Sequence, residues 1–508
     1  MRSEKSIKNV LVTWLGLIFV SLGGFVIRVI LARTLSEEYL GLNGLFGNVI
    51  SVLSLAELGV GPAITFSLYK PIAENDERQI KALMRLYRNF YIGVGSFMLV
   101  VGLLITPFLH LIIKEMPANV DHIYFIFIMY VANAAFSYFY SYKCVYLSAN
   151  QNYYMYSANH ALCYIAMYVV QAGVLLTTKN FILFYAIQVV TTVVENLRIS
   201  HIANKHYPIL KSREKYDLPA ETKKTIKVNV FAAIGHNLGN VVLNSTDNIV
   251  ISKFVGLVEA GFYSNYVLIT STVNMFMNQA FQAIMSSVGN MAVETDEKQQ
   301  RETFNMVYFA NFWLFSFATT ALLVLSNPFI ELAFGQQFVL SDEVLIAICI
   351  NFYATGMRQT CNVFKVAYGI LIQDVHRAYI EAILNLVVSV ILVQKFGILG
   401  VIIGTIVSNY AVAFWIEPRT FFKNAFHSGT GNYYLYYILF FATTVIMGAT
   451  CFGVSNMLNL TGVLSIVVRL IIVCVLANVI VVVLWYRNVS FKKLVGTIFN
   501  VLRNKLAK

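Results

Sequence analysis

Long apolar runs dominate the chain, and short polar stretches separate them. Each run has about 20 residues, the length that a helix needs to cross a hydrocarbon core of about 30 Å. Uniform apolarity over this length predicts membrane-spanning helices. It excludes an outer-membrane barrel, whose short strands alternate apolar and polar residues. We number the predicted spans 1 to 14; they lie near residues 10–32, 40–68, 86–112, 122–147, 158–177, 180–199, 228–252, 261–291, 304–326, 343–368, 377–394, 398–417, 434–455 and 462–485.

Composition agrees with this pattern. The chain is 58% hydrophobic and 12% charged, with a mean hydropathy of +0.68, whereas a soluble domain has about 25% charged residues. The predicted fold class is therefore an all-α polytopic membrane protein of about 14 transmembrane helices. Arg28 and Arg33 follow the first apolar run and no small-residue cleavage site does, so we expect this run to remain as a span.

The charge of +12 follows the predicted topology. If the N-terminus is cytoplasmic, 29 of the 37 Lys and Arg residues fall on cytoplasmic stretches. Cytoplasmic loops carry such an excess of cations, so both termini are expected in the cytoplasm. The positive charge is then a topology signal and a contact with anionic membrane lipids, and we expect no nucleic-acid partner.

A polar segment occurs twice. "AENDERQIK" (73–81) is repeated as "VETDEKQQR" (293–301), an offset of 220 residues. We interpret both copies as solvated cytoplasmic connectors. Similar offsets pair Gly41 with Gly261, Lys143 with Lys365, and Glu195 with Glu417.

Spans 1–6 and 7–12 are therefore two copies of one unit. Six is even, so both copies enter the membrane from the same side, which makes a parallel repeat and the layout of an alternating-access transporter. The predicted domains are an N-lobe (1–200), a basic cytoplasmic linker (201–227), a C-lobe (228–420), two further helices (421–486) and an amphipathic cytoplasmic tail on the inner leaflet (487–508).

Four segments carry a family resemblance: "LARTLSEEYLGLNGLF", "LSLAELGVGPAI", "YIEAILNLVVSVIL" and "GILGVIIGTIVSN". They resemble the polysaccharide transporter family, the flippases of lipid-linked oligosaccharides such as O-antigen and capsule repeat units. That family lies within the multidrug/oligosaccharidyl-lipid/polysaccharide flippase superfamily. The resemblance implies two lobes that rock around a V-shaped cleft. It also implies movement of an undecaprenyl-pyrophosphate-linked sugar from the inner to the outer leaflet of the bacterial cytoplasmic membrane.

Cations inside spans are the main candidates for a substrate site, because an ionisable residue in a membrane is costly. Arg358 and Lys365 lie seven residues apart on one face of span 10, and Lys143 is the repeat equivalent of Lys365 in span 4. Arginine binds phosphate in a bidentate manner and lysine acts as a mobile point charge, so these three predict a pyrophosphate site. The alternatives are a carboxylate partner for Arg358 and snorkelling of the lysines to the headgroups.

Two further pairs are candidates for coupling and gating. Glu57 and Pro62, beside two glycines in span 2, predict a hinge or a site for a coupling ion, H⁺ or Na⁺. A structural contact of Glu57 with another helix is the alternative. Arg28 and Asp247, near the external ends of spans 1 and 7, predict an ion pair that closes an outer gate.

Polar residues follow a helical stripe in span 7. Asn237, Asn240 and Asn244 predict a water-lined cleft, or helix–helix hydrogen bonds. His160, His236 and Glu381 also lie in or near spans, and a histidine there more often makes an interhelical hydrogen bond than relays protons. The 30 tyrosines suit interfacial belts, and some are candidates to stack on sugar rings, but the sequence does not identify which.

Other functions compete with the flippase interpretation. A lipid II flippase and a multidrug antiporter driven by H⁺ or Na⁺ share the superfamily, and a membrane polysaccharide polymerase or ligase shares the hydropathy. We expect no enzyme activity, no cofactor and no metal site, since no nucleotide or metal motif is present.

The expected partners are the undecaprenyl-pyrophosphate glycolipid and a polysaccharide polymerase, and the expected state is a monomer. Proton, sodium and membrane potential all remain open as energy sources.

Overall fold

The computed structural model describes all residues except 1, 55–59, 213, 215, 220–223, 225, 227–244, 295, 371–372, 459, 507 and 508. All regular structure in the described part is helical. We number the helices of eight or more residues that begin and end within the described residues α1 to α19: α1 Arg2–Thr34, α2 Glu37–Leu53, α3 Val60–Ala73, α4 Glu77–Ile105, α5 Ile123–Tyr138, α6 Ser141–Ala149, α7 Tyr153–Thr178, α8 Phe181–His206, α9 Leu257–Glu294, α10 Glu297–Ala333, α11 Asp342–Met357, α12 Gln359–Ala367, α13 Val375–Phe396, α14 Ile398–Ser408, α15 Phe414–Ala425, α16 Gly431–Asn456, α17 Gly462–Ile472, α18 Asn478–Trp485 and α19 Val489–Leu506.

Ten helical segments of the described chain are long and apolar enough to cross a membrane. They correspond to predicted spans 1, 3–6, 9 and 11–14. Span 2 is present as α2 and α3, span 8 as α9, and span 10 as α11 and α12. Most of span 7 lies outside the described residues. The predicted all-α, multi-span fold class is confirmed.

Lipid-facing stripes are visible on these helices. In α1, Leu15, Phe19, Leu22 and Val26 are each more than half exposed. They recur every three or four residues, so they form one face of the helix. Soluble proteins rarely expose an apolar face of this length, so we interpret it as a surface that contacts lipid. The chain is a multi-pass membrane protein.

The repeated polar segment has a structural role that the sequence analysis missed. Asp76, within the first copy, is the N-cap of α4 and accepts a hydrogen bond from the Gln79 amide at 2.9 Å. Asp296 caps α10 in the same way and accepts from the Gln299 amide at 3.0 Å. A side-chain acceptor at the N-cap satisfies an amide of the first turn that would otherwise lack a partner. Each copy therefore starts a long helix.

The chain forms two compact units, Met1–Gly261 (unit 1) and Phe262–Lys508 (unit 2). The described end of span 7, residues 245–254, thus groups with unit 1, although it was assigned to the C-lobe. The predicted lobe boundaries stay predictions.

The described part of the basic linker is packed onto unit 1. Leu218 and Ile226 are buried in a core with α4 residues such as Leu83 and Tyr87. The Lys81 ammonium donates to the Glu214 carboxylate at 2.8 Å. That hydrogen bond, with a second one from the Tyr216 hydroxyl, lowers the pKa of Glu214 below its usual value. This portion of the linker is therefore docked on α4.

Two repeat-equivalent glycines lie in contact within unit 1. A Cβ on Gly41 would lie 2.1 Å from the Leu257 carbonyl oxygen, and one on Gly261 would lie 2.8 Å from the Gly41 amide nitrogen. Real side chains do not approach backbone so closely, so α2 and the start of α9 can cross here only because both positions lack a Cβ.

Unit 2 is built around α10, whose buried face is aromatic and includes Phe304, Phe309 and Phe312. The tail forms α19, and its Phe491 contacts Phe309 with ring centroids 5.9 Å apart. Lys493 of α19 also pairs with Glu302 of α10 at 2.7 Å. The tail is helical as predicted, and its position on the inner leaflet stays a prediction.

Candidate functional site

Span 10 does not run unbroken. Helix α11 ends at Met357, Arg358 follows as its cap, and α12 begins at Gln359. The prediction of a continuous helix over 343–368 is therefore wrong at Arg358. No proline stands at this interruption.

The Arg358 guanidinium is held by two carboxylates. Its Nε and Nη2 atoms donate to the two Glu417 carboxylate oxygens at 2.7 and 2.9 Å, a bidentate pair. Its Nη1 atom donates to Glu381 at 3.1 Å. Glu417 lies in the first turn of α15, directly after a π-helical turn at Asn409–Ala413. Such turns shift the helix face, and this one precedes the carboxylate that meets Arg358.

Two further cations and a third carboxylate extend the group toward α12 and α13. Arg377 donates to Glu381 at 2.8 Å and lies 3.0 Å from Glu417. Asp374, the residue before α13, accepts a hydrogen bond from Lys365 of α12. We call these six residues the buried ion cluster: Arg358, Lys365, Asp374, Arg377, Glu381 and Glu417.

The buried ion cluster is electrically balanced. Three cations face three carboxylates, and every side chain is at most 11% exposed. Removing one member of such a group leaves a buried charge unpaired, which costs about 3–5 kcal/mol. In this structure the cluster therefore fastens α11, α12, α13 and α15 to one another and offers no net charge to an anion.

Sequence reasoning missed half of this group. Asp374 and Arg377 were not singled out, and Glu417 served only as a repeat landmark. Their spacing was a usable signal, because Asp374, Arg377 and Glu381 lie three and four residues apart on one helix face. Arg358 has carboxylate partners, as in the structural alternative, and its predicted role toward pyrophosphate stays a prediction, as does that of Lys365.

Lys143 differs from its repeat equivalent. It is buried in α6, and its ammonium donates to the Ser200 hydroxyl at 2.5 Å and to the Asn204 amide oxygen at 3.1 Å. Within the described residues no carboxylate lies within 4.0 Å of it. Arg88 is close enough to interact with it electrostatically. Lys143 is thus a buried cation held by neutral groups.

The other candidates are placed as follows. Arg28 and Asp247 both belong to unit 1, so an ion pair between them would join two parts of one unit, and the gate stays a prediction. Pro62 lies in the first turn of α3. Glu57, Asn237, Asn240, Asn244 and His236 lie outside the described residues.

Unit 1 contains a cavity of about 1040 Å³. Of its twenty lining residues, seventeen carry a hydroxyl, amide, thiol, imidazole or carboxyl group, and only Ile50, Ala134 and Val145 are apolar. No Lys or Arg is among these described lining residues. The volume is at the upper end of the roughly 300–1,000 Å³ of small-molecule sites, and the lining combines aromatic rings with hydroxyl and amide groups.

One histidine–carboxylate pair lines the cavity. The His160 Nδ1 atom lies 2.8 Å from a Glu195 carboxylate oxygen. Glu195 is the repeat equivalent of Glu417, so the same position is paired with an imidazole in unit 1 and with guanidinium groups in unit 2. Nearby, the Thr192 hydroxyl donates to the Asn133 amide oxygen at 2.6 Å.

A stripe of aromatic rings runs along α7. Tyr153, Tyr156, His160, Tyr164 and Tyr168 recur every three or four residues, with neighbouring ring centroids 4.1–5.9 Å apart. The first four line the cavity. Tyr168 instead covers Gly23 of α1, where a Cβ would lie 2.5 Å from its ring.

Solved structures of three transporters share this fold. A lipid II flippase MurJ in an inward closed conformation has a TM-score of 0.63 at 13% identity, with 94% of this chain and 99% of that chain covered. An inward-facing multidrug resistance MATE family transporter of the MOP superfamily has a TM-score of 0.64 at 14% identity, covering 78% and 92%. A variant of the Vibrio cholerae MATE transporter VcmN has a TM-score of 0.59 at 16% identity, covering 84% and 98%.

The sequence also matches a known family, although no individual curated protein matches the chain. Residues 6–285, more than half of the chain, match the family described as "Polysaccharide biosynthesis protein". This match agrees with the expected resemblance to polysaccharide transporters, and the shared fold agrees with the superfamily. The chain belongs to the polysaccharide biosynthesis protein family.

Proposed function

We propose that the protein flips undecaprenyl-pyrophosphate-linked oligosaccharide repeat units from the inner to the outer leaflet of the bacterial cytoplasmic membrane. The family match over residues 6–285 carries the proposal. The fold shared with a lipid II flippase supports it, because that fold accommodates a lipid cargo in a related transporter. The repeat unit would then serve assembly of a capsule, exopolysaccharide or O-antigen, with a polysaccharide polymerase as a partner.

Lys143 is the cation best suited to the pyrophosphate. Arg358 and Lys365 are neutralised by Glu417 and Asp374, so they would have to leave those carboxylates before they bound an anion. Lys143 has only neutral hydrogen-bond partners among the described residues, and Arg88 adds positive charge nearby. A phosphate there would supply the anionic partner that a buried ammonium favours.

The energy source is part of the proposal. Outward movement of a negatively charged pyrophosphate is favoured by an inside-negative potential, by about 2.3 kcal/mol per charge per 100 mV. A coupling ion, H⁺ or Na⁺, would add to this. The described residues contain no cluster of three or more His, Cys, Asp or Glu side chains suited to a metal ion.

Reconstituted vesicles test the proposal. A polyprenyl-pyrophosphate-linked oligosaccharide placed in one leaflet should become accessible to an external glycosidase when the full chain is present. Lys143→Met keeps the length of the side chain without its charge and should slow this movement at least tenfold. Lys70→Gln changes an exposed cation and should have no effect. If the wild-type chain moves no glycolipid and exports organic cations instead, the proposed cargo is wrong.

A further inference from the structure

The unit 1 cavity has the features of a saccharide site. A pyranose ring has an apolar C–H face that packs on aromatic rings, and hydroxyl groups around its edge that require hydrogen-bond partners. Tyr153, Tyr156 and Tyr164 supply rings on one wall, and Tyr91 and Tyr138 stand on other lining elements. Most of the remaining lining residues carry a hydroxyl or amide group.

The charged residues of the cavity lining indicate which classes of ligand it can bind. No described lining residue is a Lys or Arg, so the cavity provides no direct counter-charge for a pyrophosphate or an acidic sugar. Glu195, the only carboxylate of the described lining, is already paired with His160. An organic cation would have to compete for it. A lipid chain cannot hydrogen-bond to the lining hydroxyl and amide groups, whereas a sugar can.

We propose that this cavity binds the neutral glycan of the cargo, with the sugar rings stacked on Tyr156 and Tyr164. This inference rests on the proposed function, because it divides the cargo: the glycan is bound in the cavity, and the pyrophosphate is bound by Lys143 outside the described lining. It also identifies which tyrosines contact sugar, a point that the sequence leaves open.

Direct binding tests the inference independently of transport. The probes are maltotetraose, mannotetraose and chitotetraose, each with a neutral fluorophore at the reducing end, titrated with the detergent-solubilised full chain while anisotropy is measured. We expect saturable binding of at least one probe, displaced by the unlabelled form. Neither tetraphenylphosphonium nor inorganic pyrophosphate should displace it. Absence of saturable binding for all three probes, or displacement by the cation, would overturn the inference.

Matched variants locate the site. Tyr156→Ala and Tyr164→Ala each remove a ring and should weaken binding about tenfold or more, whereas the Phe variants, which keep the ring, should stay within about threefold. Tyr124→Ala removes an exposed tyrosine that does not line the cavity and should leave binding unchanged. Ser137→Trp fills the cavity from an exposed wall position without removing a packed side chain, and should abolish binding even if an alanine variant fails to fold. Binding that survives Ser137→Trp contradicts the proposed location.

Flipping assays on the same variants separate this inference from the proposed function. Glycolipid movement without saccharide binding in the cavity would overturn the subsite and leave the flippase function standing. Tyrosine-dependent saccharide binding without glycolipid movement would support the subsite and overturn the flippase function.

Discussion

Lys365 and Asp374 offer the simplest test of the buried ion cluster. Both side chains are 6% exposed, so either one alone would be a buried charge without its partner. We expect Lys365→Met and Asp374→Asn each to destabilise the protein by about 3–5 kcal/mol. The double variant should lose less than the sum of the two, because it removes both charges together. Thermal unfolding midpoints of the detergent-solubilised chain measure the difference.

An exposed pair in the same unit provides the control. Lys493 and Glu302 are separated by 2.7 Å, but about 45% of each side chain is exposed. Water and salt screen such pairs, so Lys493→Met and Glu302→Gln should leave the midpoint unchanged. If the losses from Lys365→Met and Asp374→Asn simply add, the two side chains are not coupled and the cluster does not act as one unit.

The aspartate N-caps of α4 and α10 allow a prediction for whole helices. Asp76→Ala and Asp296→Ala each remove the side-chain acceptor that satisfies a free amide, at a cost of about 1 kcal/mol. The losses should add in the double variant, because the two caps share no partner. Asp76→Asn and Asp296→Asn keep an acceptor and should restore most of the loss. If the Asn variants behave like the Ala variants in thermal unfolding, the negative charge stabilises the helix and the cap hydrogen bond does not.

The elements differ in how far the sequence predicts them. Spans such as 1, 5 and 14 follow from length and apolarity alone, because the thickness of the hydrocarbon core sets both. The break of span 10 does not, because no proline marks it. The Arg358 partner Glu417 lies 59 positions away along the chain. The charge of Arg358 within an apolar run identified this residue as a candidate from the sequence. Its carboxylate partners could be identified only from the fold.

Across the whole molecule, the two repeats keep equivalent positions but differ in chemistry. Lys365 has Asp374 as its partner, whereas the residue equivalent to Asp374 in the first repeat is Asn152, which donates to the Tyr207 hydroxyl and leaves Lys143 without a carboxylate there. Unit 2 thus satisfies its buried charges internally, and unit 1 keeps a cation and a polar cavity available. This asymmetry favours unit 1 as the cargo-binding unit.

Orientation in the membrane is a property of the whole molecule that the distribution of its cations predicts. The predicted topology puts 29 of the 37 Lys and Arg residues on one side, and that side should be cytoplasmic. Ser212 lies in the predicted cytoplasmic linker and Gln336 in the predicted external loop, and both are exposed. With the exposed Cys474 replaced by Ala, a membrane-impermeant maleimide on intact spheroplasts should label Gln336→Cys and not Ser212→Cys. Permeabilisation should make both reactive. Labelling of Ser212→Cys alone in intact spheroplasts would reverse the orientation and place Lys143 nearer the outer leaflet, which contradicts uptake of cargo from the cytoplasmic side.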